Sequence, residues 1–124
     1  MTILDTNSIL RCILQDNAEI AAIVESEMNQ SEFTIPTEVL AEAAYVLHES
    51  YHVERKTVSA VLIDAIKHSN ALIEQKEAVE IALFLYGTAN RLDFVDCVLY
   101  GYAKAEGHKI STFDNALSKK LNQR

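Results

Sequence analysis

Five acids stand where a carboxylate can do chemistry. Asp5 directly follows the apolar run Met1–Leu4, and Asp114 follows the segment Lys109–Thr112 and Phe113. Both segments read as strands, and in an open parallel sheet ligands bind outside the carboxyl ends of the strands. Asp is also a common helix N-cap, so either residue alone has a purely structural explanation. Glu42 lies on a helical pattern that begins at Pro36. At about 100° per residue it falls at the edge of the apolar stripe, between Val39 and Val46, while Glu38 and Glu49 lie further toward solvent. A carboxylate at a core margin costs free energy unless it is paired or binds a cation; the competing reading is a rim glutamate that reaches back to water. Asp93 and Asp96 open a strongly apolar helix and project from the same side of it. The helix dipole accounts for one of them. Asp96 shares its face with Leu99, Tyr100 and Ala103 and needs a partner.

Hard oxygen ligands without a neighbouring His or Cys suit Mg2+ or Mn2+ rather than Zn2+. Carboxylates that converge cannot all stay ionised unless cations join them. Clusters of this kind hold one or two Mg2+ that activate a water and stabilise an in-line phosphoryl displacement. Other residues fit ordinary roles. Cys12 and Cys97 lie in apolar helical patterns without Cys-x-x-Cys spacing and read as free thiols. The four histidines lack ligand spacing. Tyr45, Tyr51, Tyr86, Tyr100 and Tyr102 sit at helical spacings that suit a core margin, with stacking on bases as their alternative use.

The acids must be positioned by an alternation of strands and helices. Met1–Leu4, Phe33–Ile35, Ala71–Ile73 and Lys109–Thr112 read as strands. Helices are expected from Ser8 to Leu14, Ala18 to Asn29 with Ile20, Ile23 and Val24 facing inward, Pro36 to Tyr51, Glu54 to His68, Glu77 to Asn90 and Asp93 to Glu106, with a short one closing at Leu121. Pro36 suits a first helical turn, and Gly107 a C-terminal stop. Strands separated by helices call for a parallel sheet covered on both faces, a three-layer α/β domain.

With 124 residues the chain fits one domain, residues 1–124; with 49% hydrophobic residues and only 3 Gly and 1 Pro it is neither disordered nor of low complexity. The Met-Thr-Ile-Leu-Asp start lacks a basic n-region and breaks its apolar run with a carboxylate, so the expectation is a cytoplasmic protein without a membrane span. A net charge of −7 argues at first sight against a nucleic-acid partner. Cations held by converging carboxylates would cancel that charge locally, and Lys104, Lys109, Lys119, Lys120 and Arg124 offer either a basic patch or a solvated helix face.

Leu4-Asp5-Thr6-Asn7, Val39-Leu40-Ala41-Glu42, Asp93-Phe94-Val95-Asp96 and Ser111-Thr112-Phe113-Asp114, in that order, resemble the motifs of the PIN-domain family, specifically its VapC-type toxins. Each motif alone is weak; four in order over nearly the whole chain are specific. The resemblance implies an α/β/α domain around a short parallel sheet of four to five strands. It implies a Mg2+- or Mn2+-dependent endoribonuclease with the acidic quartet Asp5, Glu42, Asp96 and Asp114. Asp93 corresponds to an additional acid beside the third, and Asn7 and Thr112 to polar residues that support the quartet. A homodimer and a cognate antitoxin whose segment covers the acidic pocket are also implied. Cys97 departs from the small residue more usual at its position, which touches only local packing.

Other classes fit less well. A haloacid-dehalogenase-type phosphotransferase wants a second Asp where this chain has Asn7, and a phosphorelay receiver wants an acidic pair after the first strand and an Asp after a middle one. A catalytically idle PIN-like scaffold would have lost one or more of the four acids. An RNA-processing nuclease that is not a toxin keeps the same acids and differs only in its biological role.

Overall fold

The computed structural model describes residues 1–123, so Arg124, one of the basic candidates above, lies outside the described residues. The chain forms β1 (Thr2–Ile3), α1 (Thr6–Leu14), α2 (Ala18–Gln30), β2 (Phe33–Thr34), α3 (Thr37–Tyr45), a π-helical turn (Val46–Ser50), α4 (Arg55–Ile66), α5 (Lys76–Thr88), α6 (Phe94–Glu106) and α7 (Asn115–Leu121).

β1 and β2 pair in parallel, Thr2 opposite Phe33 and Ile3 opposite Thr34. The Leu4 amide donates to the Thr34 carbonyl at 3.0 Å, so the pairing runs on to the residue before Asp5. Ala71 adds a single parallel bridge to Phe33, closed by the Phe33 amide on the Asn70 carbonyl (3.0 Å) and the Leu72 amide on the Phe33 carbonyl (2.8 Å). The expected sheet of four to five strands is therefore corrected: among the described residues there are two strands and one bridge. The segment Lys109–Thr112 enters no ladder. Only its Ile110 packs against the core, and one apolar anchor fixes a segment's position without holding the alternating burial that specifies strand register.

Helices supply most of the core. Leu40, Ala43, Ala44 and Leu47 are buried on α3 and its π turn, Val58, Leu62 and Ile66 on α4, and Val79, Ala82 and Leu83 on α5, all around Phe33 and Ile35. Two inward faces differ from expectation. On α2, Ala21 and Val24 are buried while Ile20 and Ile23 are 40% and 62% exposed, because the helix docks through its narrower face onto α1. On α3 the buried face runs through Leu40, Ala43, Ala44 and Leu47, which turns Glu42 out to solvent. α5 and α6 pack most extensively: Gly101 lies so close to α5 that a Cβ there would stand 2.3 Å from the Ala78 carbonyl oxygen. Among the described residues no helix is long and apolar enough to cross a membrane.

Candidate active site

Three of the acids begin helices. Asp5 caps α1 by accepting the Ser8 amide, Asp93 caps α6 by accepting the Asp96 amide, and Asp114 caps α7 by accepting the Leu117 amide, each at 2.8 Å. Each cap satisfies an amide that has no partner inside its helix. The capping explanation and a ligand role are compatible. One carboxylate oxygen serves the helix, and for Asp5 and Asp114 the other takes no hydrogen bond or ion pair among the described residues. The Thr112 hydroxyl accepts the Asp114 amide at 3.0 Å and so fixes the chain just before α7.

Asp96 is half-buried in the first turn of α6. Burial raises its pKa above the usual carboxyl range, and the negative charges of Asp93 and Asp114 raise it further. The folded chain thus brings Asp93, Asp96 and Asp114 into one electrostatic neighbourhood. Asp5 and Glu42 are not among the charges acting on Asp96. They stand exposed on α1 and α3, helices that pack on each other and, through α3, on α6. Glu42 was expected partly turned inward; its exposure removes the desolvation argument for it. Asn7 is exposed in the first turn of α1, its side chain unbonded among the described residues.

The donor set fits a hard divalent cation. It is all carboxylate, and among the described residues no Lys, Arg or His lies within ion-pair distance of any of the five acids. The nearby sulfur is unavailable: Cys97 is fully buried and its thiol is pushed up to about 12, so it stays protonated. Among the described residues no three acid, His or Cys side chains stand close enough together to enclose an ion. Three of the acids are held at their own helix starts, and like charges repel.

Arg55, which gave no signal in the sequence, braces this region. Its Nε donates to the Tyr86 carbonyl at 2.9 Å, one Nη to the Asn90 carbonyl at 3.0 Å and the other to the Leu92 carbonyl. Its guanidinium lies 3.9 Å over the Tyr86 ring, which meets Phe94 edge-on at 5.7 Å. The loop from α5 to Asp93 is thereby pinned to the first turn of α4. Beside it a cavity of about 400 Å³ lies between the end of α3, the π turn and Asp93–Val95.

Asp93, Asp96 and Asp114 thus stand near one another at the starts of α6 and α7, with Asp5 at the end of the short parallel sheet. The chain belongs to the PIN domain family, whose model matches residues 2–120. PIN domains are in general metal-dependent nucleases. No curated protein and no solved structure matches it.

Proposed function

We propose that this PIN domain is a Mg2+- or Mn2+-dependent endoribonuclease that hydrolyses RNA phosphodiester bonds with Asp5, Glu42, Asp96 and Asp114. Asp93 is a further ligand, and Asn7 and Thr112 support the acids. The observation that carries the reading is Asp96, a carboxylate raised by its burial and then by two neighbouring acids, and without a cationic partner among the described residues. Bound among these carboxylates, Mg2+ or Mn2+ would supply a polarised water and positive charge at the phosphate. The chain's own contribution is orientation. Helix amides hold one oxygen each of Asp5, Asp93 and Asp114 and leave the other oxygen of Asp5 and Asp114 for a ligand, while Thr112 fixes the backbone at Asp114.

The four-motif resemblance extends the proposal to the toxin of a type II toxin–antitoxin pair, acting in the cytoplasm as a homodimer and silenced by a cognate antitoxin. Purified protein should cleave RNA with Mn2+ or Mg2+ and stop on chelation. Asp5→Asn, Glu42→Gln, Asp96→Asn and Asp114→Asn should each lose most cleavage with the fold retained, and Glu38→Gln should keep it. Wild-type rates in Asp96→Asn would remove the site. No cleavage by the wild type would favour an idle scaffold. Expression without a partner should arrest bacterial growth; harmless expression of active enzyme would favour RNA processing.

A further inference from the structure

We propose that the cavity between α3, the π turn and the start of α6 is a subsite for one unpaired nucleobase of the substrate, an inference that rests on the ribonuclease reading above. Its volume of about 400 Å³ lies within the range of small-ligand pockets. Tyr45, His48, Glu49, Asn90, Asp93 and Val95 are among the residues around it. Tyr45 is 66% exposed one helical turn beyond Glu42, and Val95 is 58% exposed just after Asp93. An aromatic ring and an aliphatic side chain, both left open to solvent on one cavity, offer the flat apolar contact that a base face needs.

The rest of the lining suits a base edge. The Asn90 amide and Glu49 carboxylate have no hydrogen-bond partner among the described residues. His48 Nδ1 donates to the Val53 carbonyl at 2.9 Å, and its Nε2 has no hydrogen-bond partner among the described residues. A donor amide, acceptor atoms and an aromatic face in one cavity are the chemistry that recognises an extruded base. Asp93 belongs both to the cavity and to the acidic group, so a base seated here sits beside a phosphate held at the carboxylates. Arg55 lines the same cavity, and its three carbonyl bonds hold that wall in place. A base stacked within a duplex cannot enter, so the substrate at this point is single-stranded.

Two measurements test the subsite. In the first, metal-free protein is titrated with the four ribonucleosides, which carry no phosphate and need no cation, and tyrosine ring signals are followed by NMR. At least one should give saturable shifts in wild type and Tyr45→Phe. Binding should weaken about tenfold or more in Tyr45→Ala and be unchanged in Phe84→Ala, which removes another exposed ring, on α5. In the second, Mn2+-supported cleavage is compared on a single-stranded RNA and on the same sequence in a duplex. The duplex should resist, and Tyr45→Ala should raise KM about tenfold with a far smaller change in kcat, restored by Tyr45→Phe. Ribonucleosides that leave the tyrosine signals unmoved, or a Tyr45→Ala enzyme with wild-type KM, overturn the subsite and leave the cavity to a protein side chain. A wild type that binds ribonucleosides at Tyr45 yet cleaves no RNA supports the subsite and overturns the ribonuclease reading instead.

Discussion

Asp96 is the residue at which folding and chemistry conflict. Its pKa is raised first by burial and then by Asp93 and Asp114, so in the metal-free fold the ionised form is the costly one. For an acid whose folded pKa is raised, the contribution to stability is complete below the unfolded pKa and is lost as pH rises through the folded value. Above the folded value the metal-free protein therefore bears a charge that the unfolded chain would carry more comfortably. Asp96→Asn should melt above the wild type there, and the gap should close toward about pH 4, near the ordinary carboxyl range. Thermal melts in chelator at neutral pH and at about pH 4 make the comparison. A variant less stable than wild type at neutral pH would mean that the carboxylate is held by a favourable contact. The sequence disclosed the half-buried placement of this residue, because its face, shared with Leu99, Tyr100 and Ala103, is a property of helical period alone. The same reasoning misplaced Glu42, where the buried stripe runs through Leu40, Ala43, Ala44 and Leu47 and turns the glutamate outward.

At the scale of elements, the placement of α6 decides where Asp93 and Asp96 stand, and two contacts set it. One is the approach of α5 at Gly101. In a helix interior Ala is more favourable than Gly by about 1 kcal/mol, so Gly101→Ala would stabilise a free helix. Here the added Cβ would meet backbone, the Ala78 carbonyl oxygen at 2.3 Å, which cannot turn aside as a side chain would. The helices must part, and overpacking of this sort costs about 1–3 kcal/mol. Gly101→Ala is expected to destabilise in a urea melt; a gain would show that α5 and α6 adjust freely. The other contact is Arg55. Arg55→Ala leaves the Tyr86, Asn90 and Leu92 carbonyls short of a charged donor and should cost about 2–4 kcal/mol, with Arg55→Lys recovering only part, since one ammonium cannot span three carbonyls. Full stability in Arg55→Ala would make the brace incidental. Neither contact was legible in the sequence. Helix limits were readable from periodicity, caps and Gly107, but the partners of Arg55 are backbone carbonyls 31 to 37 residues away. The missing strands have a related cause: Ala71 pairs at one residue only and Lys109–Thr112 at none, so the local β pattern there had no ladder to join.

The whole molecule carries 18 acids against 11 Lys and Arg, a formal charge of −7. Such an excess opposes compaction everywhere, and simple salt relieves it by general screening. A cation bound at the carboxylates acts differently, by mass action on the folded state alone. It stabilises by RT ln(1 + [L]/Kd), about 1.4 to 2.7 kcal/mol when free metal is about ten to a hundred times Kd. At about 4 °C per kcal/mol for a chain of this size, the melting temperature should rise by about 6 to 11 °C. The two effects separate by ionic strength. Millimolar Mn2+ barely changes the Debye length, so NaCl matched to the same ionic strength should shift the melt by far less. Ca2+ should stabilise too, yet support cleavage poorly, because its looser and larger coordination shell orients the water less strictly than Mg2+ or Mn2+ does. Asp96→Asn, which begins from the higher metal-free melting temperature argued above, should gain much less from Mn2+ than the wild type. The experiment is a set of melts of both proteins in chelator, matched NaCl, Mg2+, Mn2+ and Ca2+. Equal shifts from Mn2+ and from matched NaCl would reduce the metal effect to screening. An undiminished Mn2+ shift in Asp96→Asn would place the ion away from α6, on some other part of this acidic surface.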